Sequence, residues 1–303
     1  MDERPGLAEI CALLGLDPAA GEPVQRLVNH TYRFPRAGLL VRLSPDSPQV
    51  DHLVRVAAAL ERLGVPTIRL ASAATQPVRA AGWAATVWRL LPPPPAERYP
   101  AADLAVPLRM LHPSRLGLEL PRWNLLGTIR DFVEATAAAE DFDAWASAHV
   151  GWRGTALLAE LRRRCDALAE DLAGAAWVLP PGTVHGDAHT GNLLRLPTGE
   201  PVLCDLDLVS WGPVEADLAP AAHGVTRFRR DGADYERLVR GYGFDARESP
   251  AWPALRRLRD LQLAVYMLRA LPGGAVATEV ARRLTTVLTD DERGVWQRYP
   301  GAV

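Results

Sequence analysis

The sequence contains no lysine, and all 34 of its basic residues are arginines. The absence excludes a phosphate-binding loop of the G-x-x-x-x-G-K-[ST] type, and it excludes Schiff-base catalysis by a lysine amine. If the chain binds phosphate, arginine side chains and backbone N–H groups must therefore hold it.

Cysteine and long apolar runs are also scarce. The three cysteines, Cys11, Cys165 and Cys204, are scattered without a C-x-x-C pair, which favours a reducing compartment over a disulfide framework. No run of about 18 uncharged apolar residues occurs, and the N-terminal segment MDERPGLAEI lacks the apolar centre of a secretory signal. We therefore expect a cytoplasmic protein without a membrane span.

Neither sign of charge is in large excess. The 36 acidic residues and 34 arginines give a formal net charge of −2, so the chain as a whole offers no basic surface. We expect neither nucleic acid nor a membrane as a partner. The 303 residues, 48% of them hydrophobic, suffice for one large domain or two with a sizeable core.

The first part of the chain has the pattern of strands around one helix. The apolar spacing of residues 50–63 predicts a helix, which Gly64 and Pro66 end. The first two strand-like runs are joined by a short turn and predict a hairpin. The strand-like runs are 24–34, 38–43, 68–72 and 84–91.

The second part of the chain begins with four consecutive prolines, Pro92–Pro95. Prolines can neither continue a strand nor enter a helix interior, so we interpret them as a connector between two lobes. Beyond them the periodicity is mostly helical. Two short strands, 193–196 and 202–206, interrupt the helices and are joined by a turn at Gly199.

The stretch TVHGDAHTGNLLRLPTGEPVLCDLDLVSWG, residues 183–212, concentrates polar groups among apolar strands. Buried charge is costly unless something binds it. Asp187 and Asn192 suit phosphoryl transfer, in which a carboxylate accepts the proton of an attacking hydroxyl and an amide oxygen helps to hold a metal. Asp205, at the end of an apolar strand, can supply a second metal ligand, and such oxygen ligands suit Mg²⁺ better than zinc.

Other motifs give alternative interpretations. His185, Asp187 and His189 could instead bind a hydrolytic metal, which would need further carboxylate ligands from the strand that follows. Residues 241–246 match G-x-G-x-x-A, but they follow a helical pattern rather than a strand, so we expect these glycines to end a helix. No G-x-S-x-G occurs, which argues against a serine hydrolase.

Two motifs together resemble those of the aminoglycoside phosphotransferase family. HGDAHTGN, residues 185–192, is similar to the family's H-G-D-x-H-x-x-N signature. VLCDLDLVSWGPVEADLA, residues 202–219, is similar to its second signature, an apolar strand ending in Asp followed by Gly-Pro and D-L-A. The resemblance implies an α+β, two-lobed protein-kinase-like fold. A small β-rich N-lobe, 1–91, would bind nucleotide, and a larger, mostly helical C-lobe, 92–303, would carry the catalytic loop and the acceptor site.

The resemblance also implies roles for the polar residues. Asp187 would be the catalytic base, and Asn192 and Asp205 would be the Mg²⁺ ligands. Asp207 is open between assisting the metal and capping the following turn. Three residues would support the catalytic loop without carrying protons: His185, His189 and Asp217.

On the nucleotide side, a kinase-like N-lobe needs a cation on its third strand, and Arg42 has that position. The inward face of the helix that follows carries no acid, so the partner of Arg42 is open. Asn29 and Thr31 could present polar groups to phosphate or simply form a hairpin bend. Leu90 and Leu91 would line the adenine pocket by backbone hydrogen bonds and apolar contact.

The resemblance and the residues together predict a kinase that moves the γ-phosphate of ATP or GTP, with Mg²⁺, to a hydroxyl of a small molecule. Aminoglycosides and other antibiotics are candidate acceptors, which would make resistance one possible role. Asp260, on a late helix, and Asp207 are candidate acceptor-binding residues. A catalytically silent nucleotide- or ligand-binding protein is the alternative, because Arg42 lacks an evident partner, and a metal-dependent hydrolase is a third reading.

Overall fold

The computed structural model describes residues 4–26, 30–72, 75–95 and 99–299. A five-stranded antiparallel sheet with two helices is followed along the chain by a larger, mostly helical part that carries two short two-stranded sheets. The predicted α+β order, a β-rich region before a helical one, is confirmed.

The five-stranded sheet has the strand order β1-β2-β3-β5-β4. Its strands are β1 Glu22–Arg26, β2 His30–Phe34, β3 Leu39–Pro45, β4 Val78–Ala80 and β5 Trp83–Arg89. Side chains alternate between the two faces of a strand, so Val41 and Leu43 of β3 pack beneath helix α1 (Arg4–Leu14). Leu40 packs on the opposite side, with helix α2 (Pro48–Arg62), and the same alternation places Arg42 on that side.

Helix α2 forms where the apolar spacing predicts it. Pro48 lies in its first turn, a position that needs no backbone N–H, and Gly64, in the left-handed region at φ +70°, follows its end. Its buried face, which includes Leu53, Val56 and Leu60, packs into the core below the sheet.

The prediction of one strand over 24–34 is wrong. This run contains β1 and β2, which pair with each other on either side of residues 27–29. The hairpin predicted around 35–37 is confirmed, but it joins β2 to β3.

The strand predicted over 68–72 does not form beyond a single bridge between Leu70 and Trp88. The Gln76 side chain takes the place of a neighbouring backbone here. Its amide nitrogen donates to the carbonyls of Ala71 and Val87, and its oxygen accepts the N–H of Val87.

The helical part contains two antiparallel strand pairs, β6 with β9 and β7 with β8. The hairpin predicted at 193–206 is confirmed, although its second strand ends at Leu203. Gly243, at φ +102°, ends α8 as expected. The elements are α3 Ala105–Leu111, α4 Leu125–Ala137, α5 Phe142–His149, α6 Gly154–Ala173, β6 Gly182–Val184, β7 Leu193–Arg195, β8 Pro201–Leu203, β9 Ser210–Gly212, α7 Glu215–Phe228, α8 Gly232–Tyr242, α9 Trp252–Val265 and α10 Gly274–Leu288.

Strand β8 ties the two parts of the fold together. The N–H of Leu203 donates to the carbonyl of Pro66 at 2.9 Å, and its carbonyl accepts the N–H of Ile68 at 2.9 Å. One apolar core runs continuously from α2 to the β7–β8 hairpin and α3. Asp205 lies two positions after β8 and is thereby held in place relative to both the sheet part and the helical part. Within the described ranges, no helix is long and apolar enough to cross a bilayer.

Candidate active site

The loop that follows β6, His185 to Asn192, is held by a carboxylate from the first turn of α7. Asp217 accepts the backbone N–H of His185 at 2.5 Å and that of Gly186 at 2.9 Å. Gly186 has φ +87°, and a Cβ there would lie 2.5 Å from the carbonyl oxygen of Leu208. The loop therefore needs both the buried Asp217 and the glycine at position 186 to keep its backbone conformation.

His185 joins this loop to the end of β8. Its Nε2 donates to the carbonyl of Cys204 at 2.8 Å, and its Nδ1 accepts the N–H of Asp187 at 3.4 Å. The backbone of Asn192 makes a second link, since its carbonyl accepts the N–H of Cys204 at 2.9 Å. The residues on either side of the loop and Asp205 thus belong to one hydrogen-bonded unit.

Asp187 lies in this loop with both carboxylate oxygens near cationic or polar groups. Oδ1 accepts a hydrogen bond from the Arg259 guanidinium at 2.6 Å. Oδ2 lies 3.4 Å from Nε2 of His189, whose Nδ1 accepts the N–H of Gly191 at 2.9 Å. Burial would raise the pKa of Asp187, but Arg259 and His189 outweigh it and hold that pKa well below its usual range. The side chain keeps 24% of its surface exposed, so an ionised oxygen remains accessible.

The candidate metal ligands lie beside this carboxylate. The Asn192 side-chain nitrogen donates to the carbonyl of Asp187 at 3.0 Å, which leaves its Oδ1 as the ligand atom. Asp205 has φ +62°, a left-handed conformation that costs a non-glycine residue about 1 kcal/mol or more. Strain of this kind concentrates at functional sites.

The carboxyl groups of Asp205 and Asp207 lie close enough to shift each other's pKa. Burial, together with the neighbouring Asp207, raises the pKa of Asp205 to about 7. Two neighbouring carboxylates concentrate negative charge, which a divalent cation would relieve. Together with the Asn192 oxygen they form an oxygen-only donor set, which fits Mg²⁺. Within the described residues there is no cluster of three or more His, Cys, Asp or Glu that could hold a metal ion.

The partner of Arg42 is Asp207. The Arg42 guanidinium donates to Asp207 Oδ2 at 2.6 Å, across 165 positions of sequence. Asp51, the acid nearest to the start of α2, is paired with Arg79 instead. The acid that sequence analysis sought on the helix thus comes from the turn after β8.

The other predicted nucleotide-binding residues are placed as follows. Asn29 lies outside the described residues. Thr31 is paired with Arg42 across β2 and β3. The N–H of Leu90 already donates to the carbonyl of Gly38 at 2.8 Å, so it is not available to hydrogen-bond the adenine of a nucleotide. Because prolines have no N–H, Leu91 carries the other backbone donor of the segment 90–95.

Asp260, predicted as a candidate acceptor-binding residue, has its carboxylate buried inside the helical part. It is 5% exposed and accepts hydrogen bonds from Arg227 at 2.6 and 2.8 Å and from Nε2 of His223 at 2.8 Å. Its neighbour Arg259, which sequence analysis missed, is the residue of α9 that reaches Asp187. Successive residues of a helix point about 100° apart, which places Asp260 nearly opposite the apolar face of Leu255, Leu258 and Leu261, so the helical pattern gives no signal for its burial.

The sheet, the helical part and the loop-and-strand site together define a phosphotransferase with the protein-kinase-like fold. Residues 27–258 match the model of the APH phosphotransferase enzyme family, and the chain belongs to this family. No curated protein sequence matches it.

Solved structures of several small-molecule kinases are similar over most of the chain. An amicoumacin kinase in complex with AMP-PNP, Ca²⁺ and Ami has a TM-score of 0.64 at 15% identity, covering 93% of this chain and 91% of that one. The aminoglycoside phosphotransferase APH(3'')-Id from Streptomyces rimosus has a TM-score of 0.55 at 21% identity, covering 82% and 97%. The choline kinase LicA from Streptococcus pneumoniae has a TM-score of 0.56 at 15% identity, covering 93% and 96%. At these sequence identities the comparison shows a shared fold alone.

Proposed function

We propose that this protein transfers the γ-phosphate of ATP or GTP to a hydroxyl of a small molecule, with Asp187 as the base. The observation that carries the proposal is the partly exposed Asp187, which lies in the same loop as Asn192 and close enough to Asp205 for their charges to interact. Such a pairing of a base with hard oxygen ligands suits phosphoryl transfer, in which the protein supplies orientation and charge.

In this reaction Asp187 orients the acceptor. An acceptor hydroxyl that donates to its carboxylate is held in line for attack, and this positioning lowers the barrier. As the hydroxyl oxygen forms its bond to the γ-phosphorus, the bond from that phosphorus to the bridging oxygen breaks. The nucleoside diphosphate leaves, and the hydroxyl proton passes to Asp187.

The remaining charged groups hold the nucleotide in this proposal. Asn192 and Asp205 would hold Mg²⁺, which when bound would neutralise charge on the phosphate oxygens. Arg42 would grip the α/β-phosphates with its fork of N–H donors, in the role that lysine has in many kinases. Asp207 holds Arg42 on the β3 side of the site through their 2.6 Å contact.

The test is a phosphoryl-transfer assay with ATP and GTP, Mg²⁺ and a panel of hydroxyl acceptors. The panel includes aminoglycosides, amicoumacin, choline, nucleosides and sugars, because similar folds act on the first three. Asp187→Asn should lower turnover by about 10²–10⁴-fold, the range for a positioned base. Asp166→Asn, at a side chain that is 72% exposed, is the matched control and should keep its activity.

A catalytically silent binding protein was favoured by the lack of a partner for Arg42, and Asp207 now supplies one. Binding of Mg²⁺ and ATP without turnover of any acceptor would nevertheless support that reading. A metal-dependent hydrolase would act without nucleotide and stop when the metal is chelated. The cytoplasmic location expected from the sequence stays a prediction.

A further inference from the structure

Helix α9 presents a row of three residues on the side that faces the base. Arg259 reaches Asp187 at 2.6 Å, and Gln262 Oε1 accepts from the same guanidinium nitrogen at 2.6 Å. Tyr266, seven positions after Arg259, continues the helical backbone and so points in nearly the same direction. We call Arg259, Gln262 and Tyr266 the base-side row of α9. Seven residues of helix span about 10 Å, which sets the distance from one end of the row to the other.

The far end of the row is an aromatic surface. The Tyr266 ring meets the Phe132 ring of α4 edge to face, with centroids 5.7 Å apart and planes at 72°. Tyr266 remains 39% exposed, which is unusual for a large aromatic side chain that packs against another. A flat apolar surface therefore lies within reach of a ligand whose hydroxyl contacts Asp187.

A guanidinium group covers this aromatic surface. The Arg269 guanidinium carbon lies 4.8 Å from the centroid of Phe132 and 5.3 Å from that of Tyr266. Stacking on two rings fixes the group in place by cation–π contact. Among the residues that the structure describes, no carboxylate forms an ion pair with Arg269, whereas Arg259 is neutralised by Asp187. Positive charge is therefore left uncompensated at the far end of the row.

This arrangement selects between classes of acceptor. A quaternary ammonium group binds to aromatic faces, but here it would meet the like charge of Arg269, which lies over both rings. A polycationic sugar would bring like charges against Arg269. A carboxylate, in contrast, could accept a bidentate hydrogen bond from a guanidinium whose position is already fixed.

We propose that the acceptor is a hydroxylated, ring-bearing organic anion that lies along the base-side row of α9. Its hydroxyl contacts Asp187, its ring lies against the exposed part of Tyr266, and its anionic group binds Arg269 about 10 Å away. The inference rests on the proposed phosphotransferase function and specifies its acceptor.

The test compares acids with their own amides. Hydroxylated aromatic acids, such as N-acetyl-seryl-phenylalanine, are each paired with the primary amide, which has the same shape without the charge. Binding to the whole protein is measured by calorimetry, with and without Mg²⁺ and AMP-PNP, and streptomycin and choline are the cationic probes. The best acid should bind about tenfold more tightly than its amide, as a charge-assisted bidentate bond predicts.

Variants assign this preference to the proposed site. Arg269→Gln should reduce the ratio of acid to amide affinity to about one, and Arg269→Lys should keep part of it because the charge remains. Arg240→Gln, at an exposed arginine of α8, should leave the ratio as in the wild type. Tyr266→Ala should weaken acid and amide alike, because it removes the ring surface that both share.

Several outcomes would overturn the inference: no acid in the panel binding more tightly than its amide, tighter binding of streptomycin or choline than of any acid, or an acid preference that survives in Arg269→Gln. Failure of the proposed function looks different. It appears as an absence of nucleotide binding or turnover, while the comparison of acid with amide can still be scored without nucleotide.

Discussion

Lowering the pH from 7 to 5 should destabilise the protein through one buried imidazole, His223 of α7. This side chain is 1% exposed, and its Nε2 donates to Asp260 at 2.8 Å. Burial lowers the pKa of His223 to about 4, against the attraction of Asp260 and with the help of the nearby Arg259 and Arg227. The folded protein therefore keeps a neutral imidazole throughout this pH range.

The expected size follows from linkage. In the unfolded chain the imidazole has its ordinary pKa of about 6.5. Between that value and the folded pKa of about 4, the unfolded state binds a proton that the folded state does not. The contribution of His223 to the free energy of unfolding is thus fully present above pH ~6.5. It decreases as the pH falls, by about 2 kcal/mol between pH 7 and pH 5.

Urea unfolding of the wild type and of His223→Gln at both pH values measures this contribution. Glutamine can still donate to Asp260 but does not titrate, so the variant should lose about 2 kcal/mol less than the wild type on acidification. His149→Gln, at an exposed position of α5, should retain the pH dependence of the wild type. An equal loss in wild type and His223→Gln would show that burial of this imidazole is not coupled to folding.

Three further substitutions test the site. Gly186→Ala should reduce the free energy of unfolding by ~1 kcal/mol or more beyond the effect of Gly199→Ala, as measured by urea unfolding. Both glycines have a positive φ, but only at Gly186 would a Cβ meet a backbone oxygen. Arg42→Gln should weaken binding of ATP with Mg²⁺ by about tenfold in calorimetry, and Arg36→Gln, in an exposed turn, should not; equal affinities would argue against phosphate binding by Arg42. Arg259→Gln should lower kcat by about tenfold or more with a smaller change in the KM for ATP, because Asp187 loses its hydrogen bond while the nucleotide contacts remain. Steady-state kinetics measures both constants, and a change in KM alone would refute this role.

Short-range features of the site follow from the sequence because they depend on local geometry. The loop from His185 to Asn192 is closed by contacts between near neighbours, such as the bond from the Asn192 amide to the carbonyl of Asp187. The β7–β8 hairpin and the glycine end of α8 are also local, and both were predicted. The segment 68–72 makes some backbone hydrogen bonds to β5, such as the one from the Ala71 N–H to the carbonyl of Val87. The strand expected there is incomplete because the Gln76 side chain takes the Ala71 carbonyl and the Val87 N–H, which strand patterns assign to each other.

Long-range pairings could not be derived from the sequence in this way. Asp207 and Arg42 are 165 positions apart, and Arg259 is 72 positions from Asp187. Periodicity predicted that α9 exists, but which of its polar residues faces the base depends on how the helix is rotated against α7. The buried ion pair of Asp260 with Arg227 holds α9 in this orientation, and the sequence around neither residue indicates that the two are paired.

The two hydrogen bonds of Leu203 have a mechanical consequence. They join Pro66 and Ile68 directly to β8, so a relative motion of the two parts that keeps both bonds must pivot close to β8. Asp207 lies close to this pivot in sequence, whereas Arg42 lies on a strand across the sheet from it. An opening of the site that pivots at β8 and moves β3 away from the turn after β8 would therefore have to break the ion pair of Arg42 and Asp207.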